Sequence, residues 1–484
     1  MGFAIFEFWI LKKNMAARGT FSNKLGFILA AAGSAVGLGN IWSFPFEVGA
    51  GGGAAFLMMY FFFCFILCFP VMVTEIAIGR KTQLNPAGAY EALGFKKWRP
   101  LGILGIICGV VILSFYNVVA GWAFGYFIEM LTGNFEIGGE FSTFIKDIFK
   151  VGLYAIAFMC MTAFIVSKGV AGGIEKASKI LMPTLIIMIL GLVCYSLTLD
   201  HAFEGLKFYL VPDFSQLTLG VMGSAMGQAF FSLSLGMGAL ITYGSYVGKN
   251  DNIVTSAAFI TLADVGIAFI AGLMMFPMVA YLTGGTMEGA GQGAGLIFTV
   301  LPGAFASLGP ILGVVIGSLF FLLLSFAALT STVSLLEVPV AYIVDEKGVR
   351  RSRAVWLMAG IIFILGIPSL LSNGYSSFFT NFVTYFGAEK ATSFMDLAQN
   401  IANDSFLPLG GCLISIFAAY AWKTQNLNAE IAKGYPNYEG SFVQKYLTFA
   451  ILYLCPIVLG TMFILTVSQT FFGVNLGKMI INLL

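Results

Sequence analysis

Charged residues are scarce in this sequence of 484 residues, in which Asp, Glu, Lys and Arg together make up only 10%. A soluble domain carries about 25% charged residues, so this chain cannot cover a water-facing surface of ordinary size. The single histidine, His201, and the seven cysteines are dispersed along the chain. That dispersal offers no nucleophile with its base, no thiol–imidazole metal site and no disulfide framework. The sequence therefore argues against a soluble protein and against an enzyme.

Hydrophobic residues make up 59% of the chain and are concentrated in long runs. A transmembrane helix needs about 20 consecutive apolar residues. The sequence therefore predicts an all-α polytopic membrane protein with about 11 transmembrane helices. We number these predicted spans 1 to 11 in chain order, at residues 24–46, 53–79, 100–131, 151–167, 178–198, 219–247, 256–283, 308–343, 354–373, 394–422 and 446–472.

The distribution of positive residues predicts the orientation of these spans. If the N-terminus is cytoplasmic, 20 of the 25 Lys and Arg residues fall on the inner side. Positive residues favour the cytoplasmic side, so we expect a cytoplasmic N-terminus. Eleven spans then place the C-terminus outside the cell (inner) membrane. Residues 1–17 are predicted to be an N-terminal tail.

Span 1 contains the segment Gly33–Asn40, in which three of seven consecutive residues are glycine. Glycine costs about 1 kcal/mol relative to alanine inside a helix, so this segment favours a break in the span. Broken backbone at mid-membrane depth is tolerated where it lines a cavity or an ion site. Close packing between helices explains small residues equally well, and the segment alone does not decide between the two interpretations.

Span 6 repeats this pattern, because a glycine pair at Gly236 and Gly238 interrupts its apolar run. Paired interruptions in corresponding spans indicate a transporter site near the bilayer midplane, an arrangement of which the leucine-transporter fold is the type example. Spans 1 and 6 lie five spans apart, which predicts an inverted 5+5 repeat with unwound helices 1 and 6. The predicted divisions are 18–198 for helices 1–5, 199–422 for helices 6–10, and 423–484 for a loop plus helix 11.

Several polar residues within the spans are candidates for binding a cation. A dehydrated sodium ion needs several oxygen ligands, which carbonyl, amide, hydroxyl and carboxylate groups provide. Asp264 is a carboxylate inside span 7, a position that indicates function by default. Glu75 in span 2 faces either a partner or the inner headgroups. Tyr116 in span 3 is either a ligand or a packing residue. For Glu337 in span 8 the sequence predicts no partner. The neighbouring hydroxyls of Thr330 and Ser331 bind either an ion or their own helix.

The chain resembles the neurotransmitter:sodium symporter family, in its bacterial amino-acid branch, from about Arg18 to the end of span 11. The motifs that carry the resemblance are Gly33–Pro45 (GSAVGLGNIWSFP), Thr74–Arg80 (TEIAIGR), Gly205–Phe214 (GLKFYLVPDF), Gln228–Tyr246 and Phe326–Glu346. The resemblance implies the leucine-transporter fold, two sodium ions and the import of an amino acid by alternating access. An amino-acid-sensing receptor on the same fold is the alternative function, and a channel suits two broken spans less well.

The resemblance also implies roles for individual residues. Substrate-binding residues would be Ala35, Gly37, Gly39, Ile112, Tyr116, Phe231, Ser232, Ser234, Met237 and Leu335. Sodium site 1 would use Ala35, Asn40, Ser232 and Asp264, and sodium site 2 would use Gly33, Val36, Ala327, Thr330 and Ser331. Tyr116 and Phe231 would form the outer gate, and Arg18 and Asp345 the inner gate. Glu75 would brace the break in span 6.

Three positions qualify what the resemblance implies. Ser43 stands where many relatives have arginine, which puts an outer gate with Asp396 in doubt. Asp264 stands where many relatives have asparagine, so a fixed anion is built in and we expect no chloride requirement. Gly37 stands where carriers of aromatic amines have aspartate, which favours an amino acid as the substrate. The apolar lining of the expected pocket favours a hydrophobic or aromatic one.

The expected partners are this substrate and the lipid bilayer, with no nucleic acid. The sequence leaves the oligomeric state open.

Overall fold

A computed structural model describes residues 19–287 and 296–474 together with Leu476. Arg18, the predicted inner-gate arginine, lies outside the described residues, as does the predicted tail. Within the described part of the chain the only β pairing is one antiparallel bridge between Val383 and Thr392. The all-α class predicted from the sequence is therefore confirmed.

Nine single helices in the described ranges are long and apolar enough to cross a membrane, or ten spans if the bent pair of helices in span 1 counts as one. Their bounds follow the predicted spans closely, except that span 5 begins eight residues earlier than position 178, with a π-helical turn at Val170–Glu175. The nine are Ala54–Thr82, Lys96–Leu131, Ile148–Ser167, Val170–Ser196, Ile253–Leu282, Pro310–Lys347, Arg351–Leu371, Phe394–Ala421 and Phe442–Phe472, which are spans 2 to 5 and 7 to 11.

Spans 1 and 6 are both interrupted near their middle. Span 1 consists of Lys24–Ala35 and Gly39–Ala50, which meet at an angle of 49°. Span 6 consists of Leu219–Ser232 and Ala239–Gly244, joined by residues 233–238 without helical structure. In that joint Gly236 and Gly238 have φ angles of 80° and 75°, a left-handed conformation that glycine adopts without steric cost. The glycine pattern therefore marks a break in each span.

Shorter helices connect the spans at both ends. On the predicted inner side these are Pro86–Ala92 and Thr424–Ala432. On the predicted outer side they are Phe141–Lys146, Ala202–Leu210, Ser377–Thr380 and the apolar helix Ile297–Ser307, with 3₁₀ turns at Phe135–Gly138 and Phe214–Gln216. None of these connections is large enough to form a separate soluble domain.

Spans 3, 4, 8 and 9 pack against one another, and spans 3 and 8 form the most extensive helix pair. Span 5 packs against spans 1, 7 and 8. Apolar side chains on the outer surface of the bundle are well exposed, for example Phe149 at 83% and Ile187 at 70%. Such large apolar surfaces are covered by lipid in a membrane protein. The two breaks and the polar residues around them lie in the interior of the bundle.

Two ion pairs with buried carboxylates join the predicted inner ends of the helices. Glu337, for which the sequence offered no partner, accepts hydrogen bonds from Arg351 at 2.5 Å and from the Tyr246 hydroxyl at 2.6 Å. Arg80, which is fully buried, donates from Nε to Glu430 Oε1 at 3.0 Å. Its other nitrogens donate to the carbonyl oxygens of Glu430 and Asp251. Arg80 thereby connects the end of span 2 to the loop after span 6 and to helix Thr424–Ala432.

We expect Arg80→Ala to lower the free energy of unfolding by about 3 kcal/mol, because Glu430 Oε1 and the carbonyl oxygens of Glu430 and Asp251 lose their buried donor. Lys433 stays on Glu430 Oε2 at 2.6 Å in this variant. Lys81→Ala is the matched control, since Lys81 is 44% exposed and its Nζ lies 3.9 Å from Glu430. An exposed pair of this kind is worth at most about 1 kcal/mol. Thermal unfolding of the purified protein in detergent measures both variants. Equal melting temperatures for the two would contradict this role of Arg80.

Candidate substrate and ion site

A cavity of about 20 Å³ lies where the breaks in spans 1 and 6 face spans 3 and 8. A volume of this size holds about one water molecule, so its walls must move apart to admit anything larger. The structure brings all ten residues predicted to bind substrate to this cavity, together with two further serines. The lining residues are Ser34, Ala35, Gly37, Gly39, Ile112, Tyr116, Phe231, Ser232, Ser234, Met237, Ser331 and Leu335.

The break in span 1 exposes backbone N–H groups at the start of its second helix. The Gly37 N–H donates to Asn40 Oδ1 at 2.9 Å, and the Leu38 N–H donates to the Tyr116 hydroxyl oxygen at 2.9 Å. N–H groups at a helix N-terminus favour an anion, because the helix dipole adds to their partial positive charge. Both groups are paired within the protein here, so a carboxylate bound at this break would take them over from Asn40 Oδ1 and the Tyr116 hydroxyl.

Gly37 also sits where a side chain would not fit. A Cβ atom at this position would lie 2.9 Å from the Tyr116 hydroxyl oxygen and even closer to Ser331 Oγ. The close approach of spans 3 and 8 to the broken backbone therefore depends on glycine here. The two interpretations of the glycine-rich segment, a break and close packing, are both realised in the structure.

Asp264 is fully buried at the centre of a polar cluster contributed by four spans. Its Oδ1 accepts from Asn40 Nδ2 at 2.7 Å and from the Ser232 hydroxyl at 2.8 Å. Its Oδ2 accepts from the Tyr60 hydroxyl at 2.9 Å. Among the described residues no Lys, Arg or His forms an ion pair with this carboxylate. Hydrogen bonds from neutral groups alone thus surround a buried carboxylate, which a small cation would neutralise.

The chemistry of this cluster fits sodium as the transported ion. Its groups offer carboxylate, hydroxyl and amide oxygens, which hard cations prefer to sulfur and imidazole. Asn40 turns its amide nitrogen towards Asp264 and its oxygen towards the Gly37 N–H. Ligation by the Asn40 oxygen therefore requires this amide to turn. In the part of the chain that the structure describes, no three His, Cys, Asp or Glu side chains form a transition-metal site.

A second oxygen cluster lies between the break in span 1 and span 8. The Thr330 hydroxyl is 3.2 Å from the Val36 carbonyl oxygen and 2.9 Å from the Ala327 carbonyl oxygen. Gly33 faces the Thr330 side chain, so it belongs to the same contact. The Ser331 hydroxyl instead donates to the Ser34 carbonyl at 3.3 Å, on the side of the cavity. The residues predicted for sodium site 2 therefore meet here, with Ser331 directed away from Val36.

Glu75 lies in the protein interior and not among the headgroups. It is fully buried, and its Oε1 accepts a hydrogen bond from the Gly236 N–H at 2.8 Å. This contact satisfies a backbone donor in the non-helical part of span 6, where no helical partner is available. Of the two positions open from the sequence, the structure shows the one that supports the break.

Of the predicted gate residues, Tyr116 and Phe231 line the same cavity, whereas only one member of the inner pair is described. Phe231 lies against Gly39 at the edge of the cavity, beside Tyr116. Asp345 accepts from the Asn85 N–H at 3.0 Å, while its predicted partner Arg18 lies outside the described residues. Ser43 donates to Gln228 at 3.0 Å. Asp396 bonds Ser393 at the start of its own helix.

A second cavity, of about 560 Å³, lies on the predicted outer side. Asp396 lines it together with Trp42 and Trp122. In this structure Ser43 and Asp396 each bond another residue, Gln228 and Ser393 respectively.

Tyr60 and Ser34 are site residues that the sequence did not single out. Tyr60 is fully buried in span 2 and donates to Asp264. Ser34 is 2% exposed and lines the cavity beside Ala35. A phenol in an otherwise apolar run is the signal that could have indicated Tyr60, because a buried hydroxyl needs a partner. For Ser34 the only signal is its place within the glycine-rich segment.

The helical bundle, its two broken spans and the oxygen clusters beside them define a membrane transporter of the sodium symporter class. The chain belongs to the sodium:neurotransmitter symporter family, which its residues 18–138 and 139–471 match. It is similar to the uncharacterized sodium-dependent transporter YhdH of Bacillus subtilis, with 36% identity over 86% of this chain and 90% of that protein. It is also similar to the uncharacterized sodium-dependent transporter MJ1319 of Methanocaldococcus jannaschii, with 33% identity over 86% of this chain and 84% of that protein.

Among solved structures, the chain is similar to MhsT in complex with L-phenylalanine. The two superpose with a TM-score of 0.83, at 41% sequence identity, over 93% of this chain and 99% of that one. The expected family and the leucine-transporter fold are thereby confirmed. The number of 11 spans and the inverted repeat stay predictions.

We expect Gly37→Ala to lower sodium-dependent uptake at least about tenfold, a change worth about 1.4 kcal/mol. The added methyl group would fall against Tyr116 and Ser331 and fill the cavity. Gly191→Ala is the control, because a Cβ at Gly191 meets nothing within 4 Å. Uptake into cells at matched amounts of membrane protein measures both. Normal uptake by Gly37→Ala would show that this cavity is not the transport site.

Proposed function

We propose that this protein imports an amino acid, hydrophobic or aromatic, together with sodium ions across the cell (inner) membrane. The observation that carries the proposal is the cavity between the two broken spans, which adjoins the buried carboxylate of Asp264. Its wall combines apolar side chains from spans 3, 6 and 8 with a broken main chain. Binding of L-phenylalanine by the structural relative supports the amino-acid class.

The two charged ends of an amino acid match the two kinds of polar group at the cavity. The substrate carboxylate would bind the Tyr116 hydroxyl and the backbone near Gly37 and Gly39. The ammonium group would donate to carbonyl oxygens near Ala35, Phe231 and Ser234. The side chain would lie against Ile112, Phe231, Met237 and Leu335, where a flexible methionine fills variable space.

Sodium would bind at two places beside this substrate. The first ion would take the Ala35 carbonyl, Asn40, Ser232, Asp264 and the substrate carboxylate as ligands. Because the substrate carboxylate is itself a ligand of the first ion, binding of the ion raises the affinity for the substrate, and binding of the substrate raises the affinity for the ion. The second ion would take the carbonyls of Gly33, Val36 and Ala327 with the hydroxyls of Thr330 and Ser331. An inward sodium gradient then drives accumulation, since each charge gains about 2.3 kcal/mol per 100 mV.

Alternating access would move spans 1, 2, 6 and 7 against the scaffold of spans 3, 4, 8 and 9. The mutual packing of those four scaffold spans supports this division. Tyr116 and Phe231 would close the outer side, and Arg18 with Asp345 would close the inner, cytoplasmic side. A cytoplasmic N-terminus and an outside C-terminus follow from the distribution of Lys and Arg.

Proteoliposomes given an inward sodium gradient test this function. We expect accumulation of tryptophan or leucine well above that of glycine and alanine, and no accumulation without sodium. Asp264→Ala removes the buried carboxylate and should abolish accumulation, whereas Asp396→Asn on the outer cavity should retain it. Substrate binding without accumulation by the wild-type protein would favour a receptor, and a clear preference for glycine would contradict the substrate class.

Replacing chloride by gluconate on both sides of the same vesicles tests the ion requirement. We expect the initial rate of sodium-driven uptake to stay within about twofold, a difference of only ~0.4 kcal/mol, because Asp264 supplies a fixed negative charge. Buffers of equal ionic strength and equal membrane potential serve as the control. Uptake that disappears in gluconate and returns with chloride would show that Asp264 does not replace the anion.

A further inference from the structure

Four serines line the cavity, and each of them donates its hydroxyl proton to another protein group. Ser232 donates to Asp264 at 2.8 Å, and Ser34 donates to Ser334 Oγ at 2.7 Å. Ser234 and Ser331 both donate to the Ser34 carbonyl, at 3.1 Å and 3.3 Å. A hydroxyl has one proton and two acceptor lone pairs. Ser232 uses its lone pairs to accept from Asn40 Nδ2 at 3.1 Å and from the Tyr60 hydroxyl at 3.2 Å. Ser34 Oγ, by contrast, donates to Ser334 and accepts from none of the described residues.

The direction of the hydrogen bond at Ser34 follows from its neighbours. Ser334 donates to the Ser331 carbonyl oxygen at 2.8 Å, and a carbonyl can only accept. Ser334 has no second proton, so Ser34 must be the donor in the bond between the two hydroxyls. Both side chains are buried, with Ser34 at 2% and Ser334 at 1% exposure. Ser34 Oγ is thus left with lone pairs only.

We propose that Ser34 Oγ is a specificity-determining acceptor for an N–H or O–H group on the side chain of the substrate. Ser334 is then a positioning residue, because it takes the Ser34 proton and does not face the cavity itself. This inference rests on the proposed amino-acid transport. It narrows the substrate class to aromatic amino acids that carry one hydrogen-bond donor, of which an indole is the largest.

The position of Ser34 favours the substrate side chain over its ammonium group. Ser34 bonds span 8 through Ser334, and the next residue of span 8, Leu335, belongs to the proposed side-chain pocket. The proposed ammonium acceptors are backbone carbonyls of spans 1 and 6. A substrate without a donor would leave the lone pairs of the buried Ser34 oxygen without a hydrogen bond, which lowers the affinity for that substrate by about tenfold.

Competition against labelled amino-acid uptake tests this inference. The two competitors are tryptophan and 3-(3-benzothienyl)alanine, in which sulfur replaces the indole N–H at nearly the same shape. We expect wild-type protein to bind tryptophan about tenfold more tightly. Ser34→Ala should bring the ratio of inhibition constants close to one, and Ser334→Ala should lower it, because Ser34 can then donate its own proton into the cavity. The ratio is measured within each variant, so it does not depend on expression.

Ser325→Ala is the matched control, because Ser325 is also buried in span 8 but donates to the Phe321 carbonyl of its own helix. It should leave the ratio unchanged. If Ser34→Ala does not fold, Ser34→Cys provides the same test with a weaker acceptor of similar size.

Two results would overturn the inference while leaving the proposed function in place. One is an unchanged ratio in Ser34→Ala. The other is an equal loss of affinity for both competitors, which would assign Ser34 to the ammonium group. If no amino acid accumulates under a sodium gradient, the proposed function fails and this inference fails with it.

Discussion

The organisation of this protein depends on satisfying backbone groups where two membrane helices are interrupted. Within a bilayer, an unpaired N–H or carbonyl group costs several kcal/mol, so each break needs partners inside the protein. Asn40 and Tyr116 accept the N–H groups at the break in span 1. Glu75 accepts the Gly236 N–H at the break in span 6. These side chains come from spans 1, 2 and 3. The hydrogen bonds that satisfy the breaks therefore also connect neighbouring spans around the cavity.

The same requirement explains why polar residues are few and concentrated. Asp264 collects hydrogen bonds from spans 1, 2 and 6, and it has no cationic side chain beside it among the described residues. A buried carboxylate in this setting is unfavourable unless a cation neutralises it. In the proposed function, the cost of burying Asp264 is the physical basis of the dependence on sodium, and the bound ion would complete the substrate site.

The buried charges at the inner ends of the helices have a different role. Arg80 with Glu430 and Arg351 with Glu337 are paired within the protein, so neither pair leaves an uncompensated charge for a ligand. Both pairs connect residues on separate helices or loops. They connect the helices on the inner side of the bundle, whereas the Asp264 carboxylate is left for a cation in the proposed function.

The sequence by itself determined the helical membrane class, the approximate bounds of the spans and the two interruptions, because apolar run length and glycine spacing are local properties. Its motifs also identified ten residues that the structure brings to one cavity. Only the tertiary structure decided that Tyr60 donates to Asp264, that Arg351 is the partner of Glu337, and that Ser334 orients Ser34. It also decided that Ser43 bonds Gln228 and that Glu75 lies inside. These partners lie on different helices, and the periodicity within one helix indicates which face is buried but not the rotation and height at which neighbouring helices meet.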